Sequence, residues 1–262
     1  MDIRAFMAPT DEKPLDRLLN DGGFASIFRT VACIGDSLSS GEFELVRQGQ
    51  TSYHDLFDYS WGQFFARTCG SKVLNFSRGG MTAREYCESF AEEKGFWKKE
   101  LACQAYIIAL GVNDLVYQGH PVGTVEDVCP SDHNKNGKTF MGYMGKIISR
   151  VREISPCAPV FLVTMPKDGH GKREIGALQA ELMYRLAALF PSCYVIDLHK
   201  YGPVYDEEFK KSFYMHGHMN PQGYYLTAKM IASYIDYIVR SHPRDFERIA
   251  FLPDHPELFT ED

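Results

Sequence analysis

The sequence predicts an α/β fold: a five-stranded parallel sheet between two layers of helices, a three-layer α/β/α sandwich. Three observations carry this expectation. Five short apolar runs recur along the chain, at 30–34 (TVACI), 72–76 (KVLNF), 105–110 (AYIIAL), 159–164 (PVFLVT) and 194–198 (YVIDL). They are near-continuous rather than alternating, as strands buried on both faces are. Helical patterns separate them, and strand–helix alternation of this kind gives right-handed crossovers and a parallel sheet.

Each helix has its own signals. Residues 61–68 follow Ser60, a capping residue, and stop near Gly70. Residues 82–93 open with Thr82 and Glu85 at capping-box spacing. Residues 139–154 carry Met141, Met144, Ile147, Ile148 and Val151 at the 3.6-residue period. The two longest patterns are 172–190 and 221–240, the second starting on Pro221, which suits a first helical turn. The Met and aromatic stripes on these helices read as core faces.

A chain of 262 residues with 45% hydrophobic and 24% charged residues is of ordinary globular composition, enough to fill a sizeable core without staples. One domain over 1–262 is expected, with a core of about 30–240, an N-terminal extension 1–29 and a tail 241–262. The net charge of −6, with both signs dispersed, argues against a dedicated nucleic-acid or anionic-membrane surface. No apolar stretch reaches the roughly 20 residues of a membrane span. The opening MDIRAFMAPTDEKPLDRLL has no apolar core and carries acids early, so no secretory signal is expected. The seven cysteines lack zinc-type spacing and read as reduced thiols of a cytoplasmic protein.

Two stretches exceed the minimal repeat. Residues 41–59 and 116–138 are read as long loops at the C-terminal edge of the sheet, where they would wall or cover a pocket. Tyr53, Phe57 and Tyr117 in them offer aromatic faces. The Asp132–Gly137 turn resembles the start of a calcium loop, but Tyr143 stands where the bidentate Glu belongs, so no metal is expected. The proline-bearing tail is read as extended, wrapping the domain or meeting a second subunit of a homo-oligomer.

Chemistry concentrates in four segments. Gly35-Asp36-Ser37-Leu38-Ser39 follows the first apolar run, so Ser37 sits where open α/β sheets hold ligands. Asn75-Phe76-Ser77-Arg78-Gly79-Gly80 follows the second, and glycine there lets a backbone N–H approach a ligand closely. Gly111-Val112-Asn113-Asp114 follows the third, offering a side-chain amide. His218-Met219-Asn220-Pro221 precedes the last helix and offers a base. Each segment also fits a plain cap or turn. Together they supply a nucleophile, a base and oxyanion donors, the parts of an acyl-transfer site. The Gly-x-Ser-x-Gly elbow is absent from the sequence.

In order and spacing these segments resemble the four blocks of the SGNH (GDSL) hydrolase family, whose fold is flavodoxin-like. The resemblance runs from about residue 31 to 237. It implies Ser37 as nucleophile and oxyanion donor, Gly80 (with Gly79 as competitor) and Asn113 as further donors, and His218 as base. Asp36, Gly79, Tyr53, Tyr117 and His216 are expected near substrate. The family aspartate three residues before the histidine is replaced by Met215. A backbone carbonyl near Met215 or His216, or a carboxylate such as Asp197 or Asp206, is the expected substitute. The expected activity is hydrolysis of a small acyl ester, a carbohydrate O-acetyl ester by preference, without cofactor and without nucleic acid. Thioesterase or lysophospholipase-type action, and a binding protein of the same fold, stand as alternatives.

Overall fold

A computed structural model describes residues 11–168 and 173–255, together with Met7. Its centre is a parallel sheet of β1 (Thr30–Gly35), β4 (Lys72–Ser77), β5 (Ala105–Ala109), β6 (Val160–Val163) and β7 (Cys193–Ile196), in the order β4-β1-β5-β6-β7. In chain order of these five strands this is 2-1-3-4-5, the flavodoxin-like arrangement. Val31 to Ile34, Tyr106 to Ile108 and Val160 to Leu162 are at most 1% exposed. Full burial of such side chains stabilises by about 1.5–3 kcal/mol each, which is why the strands read as unbroken apolar runs.

Helices cover both faces. Helix α1 (Trp61–Cys69) and the long α5 (Pro221–Ser241) pack together on one. Helical segment 83–93, α2 (Phe140–Ile154) and α3 (Arg173–Ala187) cover the other. The caps follow the sequence signals: Ser60 Oγ accepts from Gln63 N at 3.2 Å, Thr82 Oγ1 from Glu85 N at 3.0 Å, and Thr139 Oγ1 from Gly142 N at 3.2 Å. A π-turn at Tyr86–Phe90 interrupts segment 83–93.

Two expectations are corrected. The 41–59 stretch is not an irregular loop: it forms an antiparallel hairpin of β2 (Glu42–Arg47) and β3 (Gln50–Asp55). Positive φ at Gln48 and Gly49 makes its two-residue turn, whose backbone twist matches the strands. Two further residue pairs, β8 (Tyr214–Met215) and β9 (His218–Met219), form a small ladder preceded by α4 (Glu207–Phe213). The tail is not extended throughout: it coils into turns at Pro243–Phe246 and Ile249–Phe251, and buries Phe246, Ile249 and Leu252. Residues 256–262 of the tail lie outside the described residues.

Candidate active site

Three neighbouring strands end at one height. Gly35 on β1 is level with Ser77 on β4 and Ala109 on β5. The chain then delivers Ser37, Gly79 and Gly80, and Asn113 to the same edge within four residues. This is where strand order reverses, the crevice in which open α/β sheets bind ligands.

Ser37 opens a single helical turn, Ser37–Ser40. Asp36 caps it: its Oδ1 accepts from Leu38 N at 3.1 Å, and its carbonyl accepts from the amides of Ser39 and Ser40. Gly35 leaves room for the Ser39 side chain, which any Cβ at that position would strike. Asp36 is 7% exposed. Burial pushes its carboxyl up to about 7, with the charges of Asp114 and Glu42 acting in the same direction. Asp36 therefore holds the Ser37 turn from beneath rather than facing solvent. Ser37 Oγ makes no hydrogen bond among the described residues, to His218 or to any other group.

The donor positions are open. Gly80 has φ +71°, a conformation that suits glycine, and no heavy atom lies within 4 Å of where a Cβ would stand. The amides of Ser37 and Gly80 have no protein acceptor among the described residues. Asn113 lies in a π-helical turn, Val112–Tyr117, entered through Gly111 at φ +133°. Its Nδ2 donates to the Met81 carbonyl at 3.1 Å, which orients the amide and leaves one N–H. The adjacent Asp114, fully buried, accepts from Ala83 N with both oxygens, at 3.1 and 3.0 Å, and lies 3.4 Å from His120 Nδ1. Burial raises its carboxyl above the usual range. Asp114 thus ties the Asn113 turn to the start of segment 83–93, just past Gly80.

His218 sits on β9, after a tight turn in which His216 takes φ +58°. Asn220 caps the following helix through Gly223 N at 3.0 Å. The imidazole is flanked by two carboxylates that the sequence reading did not single out. Nδ1 lies 3.4 Å from Glu44 Oε2 and Nε2 lies 3.0 Å from Glu42 Oε1, both from β2. The Tyr53 ring stands edge-on to the imidazole, centroids 5.8 Å apart. Tyr224 Oη donates to the Glu42 carbonyl at 2.6 Å, fastening β2 to α5. Burial raises the Glu42 carboxyl, His218 opposes that shift, and Asp55 and Glu44 add to it. Neither carboxylate considered from the sequence serves here. Asp197 accepts from Thr164, Tyr184 and Lys200 N, and Asp206 caps α4 through Phe209 N. Alternation along Glu42-Phe43-Glu44-Leu45 and the Gln48-Gly49 turn were the available signal for the hairpin, and Glu44 follows from placing it.

Of the remaining candidates, Gly79 lies against Glu42, whose Oε2 a Cβ there would strike. Tyr53 is 59% and Tyr117 72% exposed, while His216 is an exposed turn residue. A small apolar cavity of about 70 Å³ is lined by Leu38, Val112 and Met219, sequence neighbours of Ser37, Asn113 and His218, and by Trp61, Met165 and Tyr205. Among the described residues no cluster of three or more His, Cys, Asp or Glu side chains could hold a metal, and no helix is long and apolar enough to cross a membrane. All seven cysteines are unpaired.

Residues 33–226 match the model of the GDSL-like lipase/acylhydrolase family. The fold is shared with solved structures at low identity. A family two carbohydrate esterase from Clostridium thermocellum, in complex with cellohexaose, is 16% identical with a TM-score of 0.59, over 87% of this chain and 66% of that one. A carbohydrate acetylesterase from Sinorhizobium meliloti, Est24, is 17% identical with a TM-score of 0.54, over 80% and 99%. A family 3 carbohydrate esterase from Clostridium thermocellum is 12% identical with a TM-score of 0.51, over 81% and 97%. No curated protein matches the sequence significantly.

Proposed function

The chain belongs to the GDSL-like lipase/acylhydrolase family of ester-hydrolysing serine enzymes, and from that premise we propose that Ser37 is the nucleophile and His218 the base of an esterase for short acyl groups. One observation supports the reading: Ser37, Gly80 and Asn113 leave three adjacent strands at one register, and His218 touches Glu42, the carboxylate that lies against Gly79. Ser37 Oγ attacks the ester carbonyl while His218 Nε2 takes its proton. The free amides of Ser37 and Gly80 and the remaining Asn113 N–H stabilise the oxyanion, each donor worth about 2.7–4 kcal/mol of barrier. His218 then protonates the leaving alcohol, and water releases the acyl group from Ser37. For Nε2 to reach Ser37, it must exchange its contact with Glu42 for one with the hydroxyl.

The acyl group is short, acetyl by preference. The apolar cavity beside the site is roughly half the ~150 Å³ that admits benzene in an engineered protein cavity. The alcohol is a carbohydrate: exposed Tyr53 and Tyr117 offer flat faces for a sugar ring, and the hairpin that carries Tyr53 is polar. The carbohydrate esterases that share the fold agree with this reading. A fluorophosphonate probe should label Ser37, and Ser37→Ala should abolish both labelling and turnover of acetyl esters, including acetylated sugars. Wild-type turnover in Ser37→Ala would end the assignment. So would an acyl-chain optimum of eight carbons or more for the short-acyl part. An unlabelled wild-type Ser37 would indicate a binding protein of this fold.

A further inference from the structure

We propose that Glu44, carried by the hairpin inserted directly after the nucleophile turn, is the positioning carboxylate of His218. The inference rests on the Ser37–His218 reading above. The position three residues before His218 is Met215, which pairs with His218 across the β8–β9 ladder and has no acid to offer. Glu44 arrives from 174 residues away and fills that need by a different route. Its Oε2 accepts from Gly217 N at 2.9 Å and lies 3.4 Å from His218 Nδ1. An ionised carboxylate only accepts, so a bond to Glu44 requires a hydrogen on Nδ1. Once Nε2 releases Glu42, 3.0 Å away, that hydrogen leaves the Nε2 lone pair for the proton of Ser37, the tautomer a base requires.

Three features show that this contact is built. The Glu44 side chain is 16% exposed and its partner 17%, so water competes weakly for either. Gly217 has no side chain, and a Cβ there would strike Glu44 Oε2. The strand that carries Glu44 is fastened to α5 by the Tyr224–Glu42 bond and by the Phe43 ring packed edge-on against Tyr224 at 5.4 Å. Glu42 has a different place. It touches Nε2, the nitrogen that must be released for reaction, and lies over Gly79.

The test compares Glu44→Gln, Glu44→Asp and Gly217→Ala with wild type, using p-nitrophenyl acetate and fluorophosphonate labelling. In Glu44→Gln an amide N–H₂ can face Nδ1 and favour the wrong tautomer. Its kcat should fall about 10²- to 10³-fold, below the ~10⁴ seen when a shorter, fully buried triad aspartate becomes an amide. KM should stay within about threefold, because the carboxylate acts on the transition state rather than on substrate binding. Glu44→Asp should recover at least about tenfold of the loss, as a restored charge would and a restored shape would not. Gly217→Ala, which displaces the carboxylate without removing it, should lower kcat by about tenfold or more. In ¹⁵N-histidine spectra the Nδ1–H signal of His218 should be present in wild type and lost in Glu44→Gln. Two results would overturn the inference: kcat within threefold of wild type in Glu44→Gln, or an equal loss with the same histidine signature in Glu42→Gln. If wild-type Ser37 itself takes no label, the underlying reading fails along with this one, and that outcome is distinct from a labelled enzyme indifferent to Glu44.

Discussion

Asp36 holds the turn that carries Ser37. Its side chain and carbonyl together satisfy three amides of the turn that presents Ser37. It does so from a buried position near two other acids, Asp114 and Glu42, and its carboxyl is raised from 3.8 to about 7. The sign of the consequence follows from linkage. A carboxyl raised on folding contributes stability that is fully present below about pH 4 and lost as pH rises through about 7. Asparagine caps a helix as well as aspartate and carries no charge. Asp36→Asn should therefore become increasingly more stable than wild type as pH is raised from 5 to 8, by on the order of a few kcal/mol at the upper end, and its melting temperature should rise above wild type accordingly. Thermal melts of the two proteins across that range provide the check. Parallel curves would show that Asp36 stays ionised throughout.

At the scale of elements, the hairpin β2–β3 does the most to distinguish this site. Its first strand brings both carboxylates to His218 and its second brings Tyr53. Phe43 is its one buried residue, wedged edge-on between Tyr224 and Tyr59. Phe43→Ala should cost about 3–5 kcal/mol of local packing, borne by the hairpin's docking rather than by the sheet. The expected outcome is a deep loss of kcat, faster amide exchange across 42–55 and a melting temperature close to wild type. A large fall in melting temperature would mean that the hairpin folds as one unit with the sheet. The same element marks where the sequence was legible and where it was not. The five sheet strands are buried on both faces, and unbroken runs such as AYIIAL announce that directly. The four chemical segments could be ordered along one edge because each follows a strand or precedes a helix. In contrast, β3 is exposed at every residue, so no apolar period marks it. The pairing of Glu44 with His218 is fixed only when two distant segments meet, and no local spacing encodes that. The π-turns at Tyr86–Phe90 and Val112–Tyr117 keep a helical period with one extra residue, a difference that side-chain patterning does not resolve.

Across the whole molecule, α5 links the site to the chain's N-terminal segment. One end of the helix begins two residues after the His218–Met219 ladder, and the other end buries Arg240, 6% exposed. Arg240 reaches Asp236 at 2.8 Å, both Glu12 oxygens at 2.7 and 3.0 Å, and the Met7 carbonyl at 2.9 Å. Leu19 N on Ser233 and Phe24 N on Asp236 continue the seam along the same helix. The guanidinium bridges buried Asp236 and partly buried Glu12, which have no bond to each other among the described residues. Removing it leaves buried Asp236 with the Phe24 amide alone to offset its burial, while Glu12 keeps Arg17 at 3.2 Å. Arg240→Met, which keeps much of the volume, should lower the unfolding free energy by about 3 kcal/mol at neutral pH, the low end for a broken buried pair because Glu12 keeps Arg17. The pH dependence gives a second, independent sign. Glu12 is held below its ordinary value chiefly by its hydrogen bond to Arg240, so its share of stability is present above about pH 4.5 and lost as pH falls further. Urea titrations should therefore find the gap between wild type and Arg240→Met widest at neutral pH and narrower in acid, where both carboxylates can protonate. Limited proteolysis should cut the variant first within 11–22, the segment released from α5, while Ser37 remains reactive toward the fluorophosphonate. Loss of that reactivity in a variant whose sheet is still folded would mean that the seam extends through α5 as far as the base. The N-terminal segment would then be part of the machinery that positions His218.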